Sequence, residues 1–148
     1  MAQAAGNGIQ SGGCLCGAVR FTATPADHHV GACHCGMCRR WAAGPFLERD
    51  CGTSVEVEDQ TNLGVYRSSE WAERTFCKRC GTPLYYRLIE KNHHYVSAEA
   101  FDDRAGYVFA YQVFVDEKPA YYEFANKTHN MTGAEVFAAF APAAAGEG

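Results

Sequence analysis

Seven of the eight cysteines in this 148-residue chain fall into three short clusters. Thiols this close in sequence can converge on one soft cation, and Zn²⁺ takes cysteine ligands in tetrahedral sets. Seven thiols suffice for one closed site of four ligands and one site of three that keeps a position open for chemistry. The clusters are Cys14-Leu15-Cys16, Cys33-His34-Cys35-Gly36-Met37-Cys38 and Cys77-Lys78-Arg79-Cys80.

A disulfide framework is the main structural alternative to metal binding for a chain this rich in cysteine. The first residues lack the basic region and the apolar run of a signal peptide, which predicts a cytoplasmic protein. In a reducing compartment, dense cysteine indicates metal binding or catalysis. Cysteines two positions apart cannot easily bridge each other, so most of these thiols would need remote partners. The disulfide interpretation is therefore disfavoured.

Composition argues against two classes of partner. Apolar residues make up 47% of the chain and charged residues 20%, which is ordinary for a globular protein. The net charge of -4 gives no electrostatic attraction to nucleic acid. No run of ~18 apolar residues is present, so no segment is expected to span a membrane. We therefore expect small molecules, rather than nucleic acid or a membrane, as partners.

The residue pattern predicts a mainly β fold of antiparallel sheets with one short C-terminal helix. Short runs rich in β-branched and aromatic residues alternate with Gly, Pro and Asn turn signals. Thr132 and Glu135 form a capping box, and Val136, Phe137 and Phe140 follow at helical spacing. The predicted strands occupy residues 18–22, 54–58, 64–66, 84–87, 94–97, 107–114 and 120–124.

The length of the chain fits one domain. Residues 1–10 are small and polar, which predicts a disordered N-terminus, and residues 142–148 are typical of a flexible tail. Between them the sequence shows no linker, repeat or low-complexity segment. We expect a single zinc-binding domain over residues 11–141.

The third cluster has the spacing of a zinc knuckle, in which two cysteines three positions apart grip one ion. Gly81, directly after it, allows a turn with positive φ. A knuckle supplies two ligands, so two more must come from elsewhere, and the glycine-flanked first cluster is the natural donor. We therefore predict a structural zinc site made of Cys14, Cys16, Cys77 and Cys80.

Cys33, Cys35 and Cys38 lie within six residues and can reach one ion only from a tightly wrapped loop. They leave the fourth position to water, to substrate or to a distant residue, and open three-ligand zinc is typical of catalysis. Two alternatives stay open. The knuckle cysteines could join this cluster instead, or a fourth protein ligand could close the site. The candidates for that ligand are Cys51, His34, His93, His94 and His129.

Four further residues near the clusters could take part in the site or only support it. His34 lies between two cysteines, so we expect its side chain to point away from their metal, solvated or at the edge of the core. Cys51, the one cysteine outside the three clusters, is expected to be buried and chemically inert. Arg39 and Arg40 either offset the negative charge of metal-bound thiolates or bind a substrate carboxylate.

Four segments resemble the glutathione-dependent formaldehyde-activating enzyme family in residue type, order and spacing, across roughly residues 11–125. Three cysteine motifs in this order are a specific signal, unlike a single Cys-x-x-Cys. The segments are Gly12-Gly13-Cys14-Leu15-Cys16-Gly17-Ala18-Val19, Cys33-His34-Cys35-Gly36-Met37-Cys38-Arg39-Arg40, Tyr66-Arg67-Ser68-Ser69 and Phe76-Cys77-Lys78-Arg79-Cys80-Gly81-Thr82-Pro83-Leu84.

The resemblance implies the mainly β architecture called the β-tent, with the four-cysteine set as structural zinc and the three-cysteine set as catalytic zinc. Members of the family are linked to the formation of S-hydroxymethylglutathione from formaldehyde and glutathione, a carbon–sulfur lyase reaction in reverse. Glutathione is therefore an implied co-substrate. The family also includes a vertebrate centromere-associated protein, so the fold does not fix the function.

Three functional hypotheses follow. In the first, the protein is a zinc-dependent carbon–sulfur lyase that joins or splits a thiol and an aldehyde, with Cys33, Cys35 and Cys38 as the catalytic set. Three thiolates weaken the Lewis acidity of zinc, so the site suits delivery of a thiolate better than activation of water. The second is a non-catalytic zinc module that binds a partner. The third is a redox protein that uses Cys51 or a knuckle thiol, which requires an exposed cysteine of low pKa.

Overall fold

The computed structural model describes residues 8–140, and within them the chain forms eleven β-strands and two α-helices. Residues 1–7 and 142–148 of the predicted flexible ends lie outside the described residues, and Gln10 already belongs to the first strand. The strands are β1 (Gln10–Gly13), β2 (Arg20–Ala23), β3 (His29–Cys33), β4 (Phe46–Gly52), β5 (Glu56–Val57), β6 (Leu63–Arg67), β7 (Ala72–Cys77), β8 (Pro83–Leu88), β9 (His93–Ser97), β10 (Val108–Val113) and β11 (His129–Met131); the helices are α1 (Gly36–Ala42) and α2 (Gly133–Phe140).

The described chain divides into two compact units. The larger unit contains residues 8–30 and 48–108, and the smaller unit contains residues 31–47 and 109–140. The mainly β class with a short C-terminal helix is confirmed. That residues 11–141 form a single domain stays a prediction.

The larger unit is built from two antiparallel arrays of strands. One is a three-stranded sheet in the order β1-β2-β5, and in the other the strands pair in the order β4-β9-β8-β7-β6. Phe21, Leu84, Val96 and Phe101 are buried in its core, where each contributes about 1.5–3 kcal/mol. Two cysteines, Cys14 and Cys77, belong to the same core cluster, so the packing of this unit positions them.

The smaller unit contains α1, β10, β11, α2 and the end of β3. Here β10 and β11 pair in parallel, with Gln112 opposite Asn130. This pair departs from the predicted antiparallel arrangement. Parallel neighbours need a long connection, and the segment 114–128 between the two strands is long enough to carry the chain back to Tyr111, which lies opposite His129.

The predicted C-terminal helix forms as its capping box requires. The backbone N–H of Thr132 donates to Glu135 Oε1 at 2.8 Å, and the N–H of Glu135 donates to Thr132 Oγ1 at 3.2 Å. The ring of Phe137 packs edge-on against Phe114, with centroids 5.7 Å apart. Neither helix within residues 8–140 is long and apolar enough to cross a bilayer.

Helix α1 was not predicted, because its seven residues carry no apolar stripe. It begins after Cys35, whose sulfur accepts the backbone N–H of Cys38 at 3.4 Å, as an N-cap side chain does. It ends at Ala43, which adopts the left-handed conformation. A cysteine cap and two turns of helix give little periodicity to detect.

The strand predicted at residues 120–124 is wrong, since this segment is a turn followed by irregular chain. Lys118 Nζ lies 2.6 Å from the carbonyl oxygen of Tyr122 and occupies the acceptor that a strand ladder would need. The aromatic rings of the segment pack instead on one another and on rings elsewhere in the smaller unit, such as Phe124 on Phe109 with centroids 4.9 Å apart. Aromatic residues favour strands only where neighbouring strands offer a surface to pack on.

Candidate metal centres

The fold brings the first and third cysteine clusters together. The sulfur atoms of Cys14, Cys16, Cys77 and Cys80 all lie within 4.8 Å of one another. The separation is 3.7 Å between Cys14 and Cys16 and 3.8 Å between Cys16 and Cys77. Thiolates on one tetrahedral ion with metal–sulfur bonds of about 2.3 Å lie ~3.8 Å apart. This four-cysteine cluster could therefore hold a metal ion with little change in the positions of its sulfur atoms. The alternative in which the knuckle cysteines join the second cluster does not occur.

Tight turns shape both arms of the four-cysteine cluster, which are residues 14–17 and residues 77–81. In the knuckle, the backbone N–H groups of Arg79 and Cys80 point at Cys77 Sγ, at 3.3 and 3.4 Å. Gly81 donates to the Cys77 carbonyl oxygen at 2.8 Å and has a φ of 82°, as the sequence predicted. Gly17 plays the same part in the other arm, with a φ of 84°.

Thr82 joins the two arms of the four-cysteine cluster, and sequence reasoning assigned it no role. Its hydroxyl oxygen accepts the backbone N–H of Leu15 at 3.1 Å and lies 3.1 Å from Cys80 Sγ. Hydrogen bonds from the side chain and backbone of Thr82 lower the pKa of Cys80 to about 5. The only signal in the sequence was the position of Thr82 directly after the knuckle.

The sulfur atoms of Cys33, Cys35 and Cys38 also lie within 4.8 Å of one another. Cys33 is the last residue of β3, Cys35 caps α1, and Cys38 lies in its first turn. Cys33 and Cys38 are buried, whereas Cys35 is partly exposed. Among residues 8–140, no further cysteine, histidine or carboxylate belongs to this three-cysteine cluster. The cluster could hold a metal ion through three protein ligands.

Hydrogen bonds fix the loop that carries the three-cysteine cluster. The N–H of Gly36 donates to Glu117 Oε1 at 2.8 Å. Arg39 donates from its backbone N–H to the Cys35 carbonyl oxygen and from its side-chain Nε to the His34 carbonyl oxygen, both at 2.9 Å. Arg39 is therefore partly committed to holding the loop, whereas Arg40 is exposed on α1. Both carry positive charge close to the cluster.

His34 is turned away from the neighbouring sulfur atoms, but it is neither solvated nor at the edge of the core. Its side chain is fully buried. Nδ1 lies 2.7 Å from the Tyr122 hydroxyl, and Nε2 lies 2.8 Å from Gln112 Oε1. Burial lowers the pKa of this imidazole. Because both ring nitrogens are engaged, His34 cannot also bind a metal.

The other candidates for a fourth ligand are placed elsewhere. His93 Nε2 lies 2.7 Å from Asp50 Oδ1, and His94 Nδ1 lies 2.9 Å from the Gly52 carbonyl oxygen. His129 is exposed on β11. Cys51 is buried in the core of the larger unit, as expected. None of the four belongs to a group of potential ligand atoms within residues 8–140.

We expect Cys51 to be chemically silent in the folded protein. Burial raises its pKa to about 12, so almost none of it is thiolate near neutral pH. Alkylation of the metal-loaded protein with iodoacetamide at pH 8, followed by peptide mass spectrometry, should label Cys51 on the order of 1,000-fold more slowly than in the urea-unfolded chain. Labelling at similar rates in both states would support the redox hypothesis instead.

Comparison with known proteins identifies the family. The sequence profile described as "Glutathione-dependent formaldehyde-activating enzyme" matches residues 9–117, which include all seven clustered cysteines. The chain belongs to this family. A protein of Schizosaccharomyces pombe named as an uncharacterized lyase is 40% identical over 126 residues, which is 84% of this chain and 92% of that protein.

Two further relatives are more distant. A Halomonas elongata protein with the provisional name of glutathione-dependent formaldehyde-activating enzyme is 33% identical over 103 residues, or 61% of this chain and 65% of that protein. A crystal structure of a Rhodobacter sphaeroides protein superposes with a TM-score of 0.55 at 21% identity, covering 62% of this chain and 87% of that chain. The last comparison supports the fold alone.

Proposed function

We propose that this family member is a zinc-dependent carbon–sulfur lyase that joins or separates a small thiol and an aldehyde. The observation that carries the proposal is the pair of unequal clusters, four thiols in one and three in the other. All-cysteine ligand sets select Zn²⁺ among common divalent ions, and a three-ligand set leaves one tetrahedral position for a substrate. The four-cysteine cluster, which lies partly in the core, is assigned to a structural ion.

The substrates and the type of reaction are proposed from the names of the family and of two relatives. The family description and the name of the Halomonas relative favour glutathione as the thiol and formaldehyde as the aldehyde. The name of the yeast relative favours lyase chemistry. The reaction requires a thiol in its reduced form, which a reducing compartment maintains, so we place the protein in the cytoplasm.

The proposed reaction forms a bond between the thiol sulfur and the aldehyde carbon. The carbonyl π bond breaks, and the proton lost by the thiol is transferred to the new alkoxide oxygen, so no oxidant, reductant or third reactant is needed. Cys33, Cys35 and Cys38 would hold a zinc ion, which would lower the pKa of a substrate thiol and favour its reactive thiolate form. Because Cys35 is the most exposed of the three ligands, we assign the substrate entrance to its side of the cluster.

Arg39 and Arg40 are proposed to bind the carboxylates of the thiol substrate. Arg40 is exposed and follows Cys38 by two residues, so its guanidinium is available for a bidentate pair with a carboxylate. Arg39 keeps its Nε on the loop backbone and offers its terminal nitrogens. The same two charges also offset the negative charge of three thiolates.

Exchange spectroscopy with ¹³C-formaldehyde tests the proposal. In a mixture of formaldehyde and glutathione, zinc-loaded protein should raise the rate of exchange between free and thiol-bound formaldehyde in proportion to protein concentration. Replacing glutathione by 2-mercaptoethanol, which has no carboxylate, should weaken the effect if the arginines bind carboxylates. Exchange at the uncatalysed rate with every thiol tested would favour the non-catalytic zinc module.

A further inference from the structure

His34 is held at four points, although it lies between two proposed metal ligands. Its backbone N–H donates to the Val113 carbonyl oxygen at 3.1 Å, and its carbonyl oxygen accepts Arg39 Nε at 2.9 Å. Tyr122 and Gln112 occupy the two ring nitrogens. No exposed surface remains on the residue. Such complete restraint is unusual for a loop residue, since loops normally run over the surface.

Five side chains form one continuous chain of hydrogen bonds, in which every donor points the same way. In order they are Tyr122, His34, Gln112, Thr128 and Asn130. Thr128 Oγ1 donates to Asn130 Oδ1 at 2.5 Å and accepts Gln112 Nε2 at 2.9 Å. The amide oxygen of Gln112 therefore faces His34 and can only accept, which places the imidazole proton on Nε2. Nδ1 is then an acceptor, and the hydroxyl of Tyr122 donates to it. Each of the five groups is satisfied by its neighbour.

Both ends of this hydrogen-bonded chain are anchored. At one end, Asn130 lies opposite Gln112 in the parallel β10–β11 pair. At the other end, Lys118 Nζ donates to the Tyr122 carbonyl oxygen and lies 5.3 Å from the centre of its ring. The family match ends at residue 117, so Tyr122, Thr128 and Asn130 lie beyond it.

We propose that His34 is a positioning residue that preorganises the three-cysteine cluster for metal binding. The chain from Tyr122 to Asn130 fixes the backbone of His34, and this fixes the directions in which Cys33 and Cys35 leave the loop on either side. A loop held this way loses less conformational freedom when it takes up an ion. The inference rests on the proposed metal site but requires no catalytic activity.

Competition with a chromophoric chelator tests this role on the intact protein. Zinc bound at the four-cysteine cluster and zinc bound at the three-cysteine cluster should be released in two separate steps. The Cys35→Ser variant assigns the step that belongs to the three-cysteine cluster. His34→Phe keeps the size of the ring but removes both hydrogen bonds, and should weaken zinc binding at that step about 10- to 100-fold. The step of the four-cysteine cluster should not change. Tyr122→Phe should give a smaller loss in the same step.

Two exposed neighbours provide matched controls. His29→Phe changes an exposed histidine of β3, and Tyr121→Phe changes the exposed tyrosine next to Tyr122, so both should bind zinc as the wild type does. Because His34 and Tyr122 act through one hydrogen bond, the double variant should lose less affinity than the product of the two single losses.

The outcomes separate this inference from the proposed function. If wild-type protein releases two zinc ions and His34→Phe retains wild-type affinity at both steps, the positioning role is overturned and the metal site stands. If His34→Phe weakens both steps equally, the residue supports the fold generally and the positioning role is again overturned. Release of a single zinc ion from the wild type would overturn both proposals.

Discussion

Replacing Cys77 by alanine is expected to abolish the cooperative unfolding transition of the zinc-loaded protein at 25 °C. Cys77 has no exposed surface, and its sulfur belongs to the four-cysteine cluster and to the core of the larger unit. Structural zinc sites contribute an apparent ~10–16 kcal/mol at pH 7 in zinc-finger peptides, whereas whole domains are stable by only about 5–15 kcal/mol. Loss of this ion should therefore leave too little stability for a folded larger unit.

Urea titration followed by circular dichroism measures the effect, and Cys51→Ala is the matched control. Cys51 is about as buried as Cys77 and lies in the same core cluster, but it belongs to no ligand group within residues 8–140. Its loss removes a similar volume and should cost only about 1–2 kcal/mol. Equal destabilisation of the two variants would mean that packing, and not a metal ion, explains the importance of Cys77.

Replacing Cys35 by serine is expected to lower thiol–aldehyde exchange at least 100-fold while leaving the fold intact. Serine is a good N-cap residue, so its hydroxyl can accept the Cys38 N–H that the cysteine sulfur now accepts, and α1 should persist. A hydroxyl does not replace a thiolate on zinc. Since loss of a partner outside the ligand set already costs about 10- to 100-fold, loss of a ligand should cost more.

The measurement combines metal analysis, unfolding and ¹³C exchange on one sample. Cys35→Ser should contain one zinc ion per chain, unfold close to the wild-type urea concentration and exchange formaldehyde at the uncatalysed rate. A variant that has lost one ion but still exchanges formaldehyde like the wild type would contradict the assignment of the three-cysteine cluster as the reaction centre. Cys51→Ala should keep both the second ion and the activity.

Cysteine spacing predicted the three clusters and favoured the pairing of the first with the third, but it left open the alternative in which the knuckle cysteines join the second cluster until the structure placed the sulfur atoms. Local motifs fix part of this geometry: Cys77 and Cys80 lie only three positions apart, which favours a tight turn, and Gly81 completes it. The capping box likewise predicted α2 from four residues. Features that depend on residues close together in sequence could therefore be predicted before the structure was known.

Features that depend on contacts between residues far apart in sequence could not be predicted. Nothing near His34 in sequence indicates that Gln112 and Tyr122 will enclose it, since those partners are 78 and 88 positions away. The aromatic run in 120–124 predicted a strand because aromatic residues favour sheets in general, but Lys118 and His34 offered this segment other partners. The parallel β10–β11 pair follows from the path of the segment 114–128, which carries no periodic signal.

Zinc-edge X-ray absorption on the zinc-loaded protein tests the central claim, that one cluster is closed by protein and the other is open. Seven thiolates shared by two ions predict two zinc ions per chain and a mean of about 3.5 sulfur atoms around each, with a nitrogen or oxygen atom completing the second ion. Addition of glutathione should raise the mean to about 4 as the open position takes a sulfur. A mean of four sulfur atoms before any thiol is added, or a single zinc ion per chain, would contradict the account.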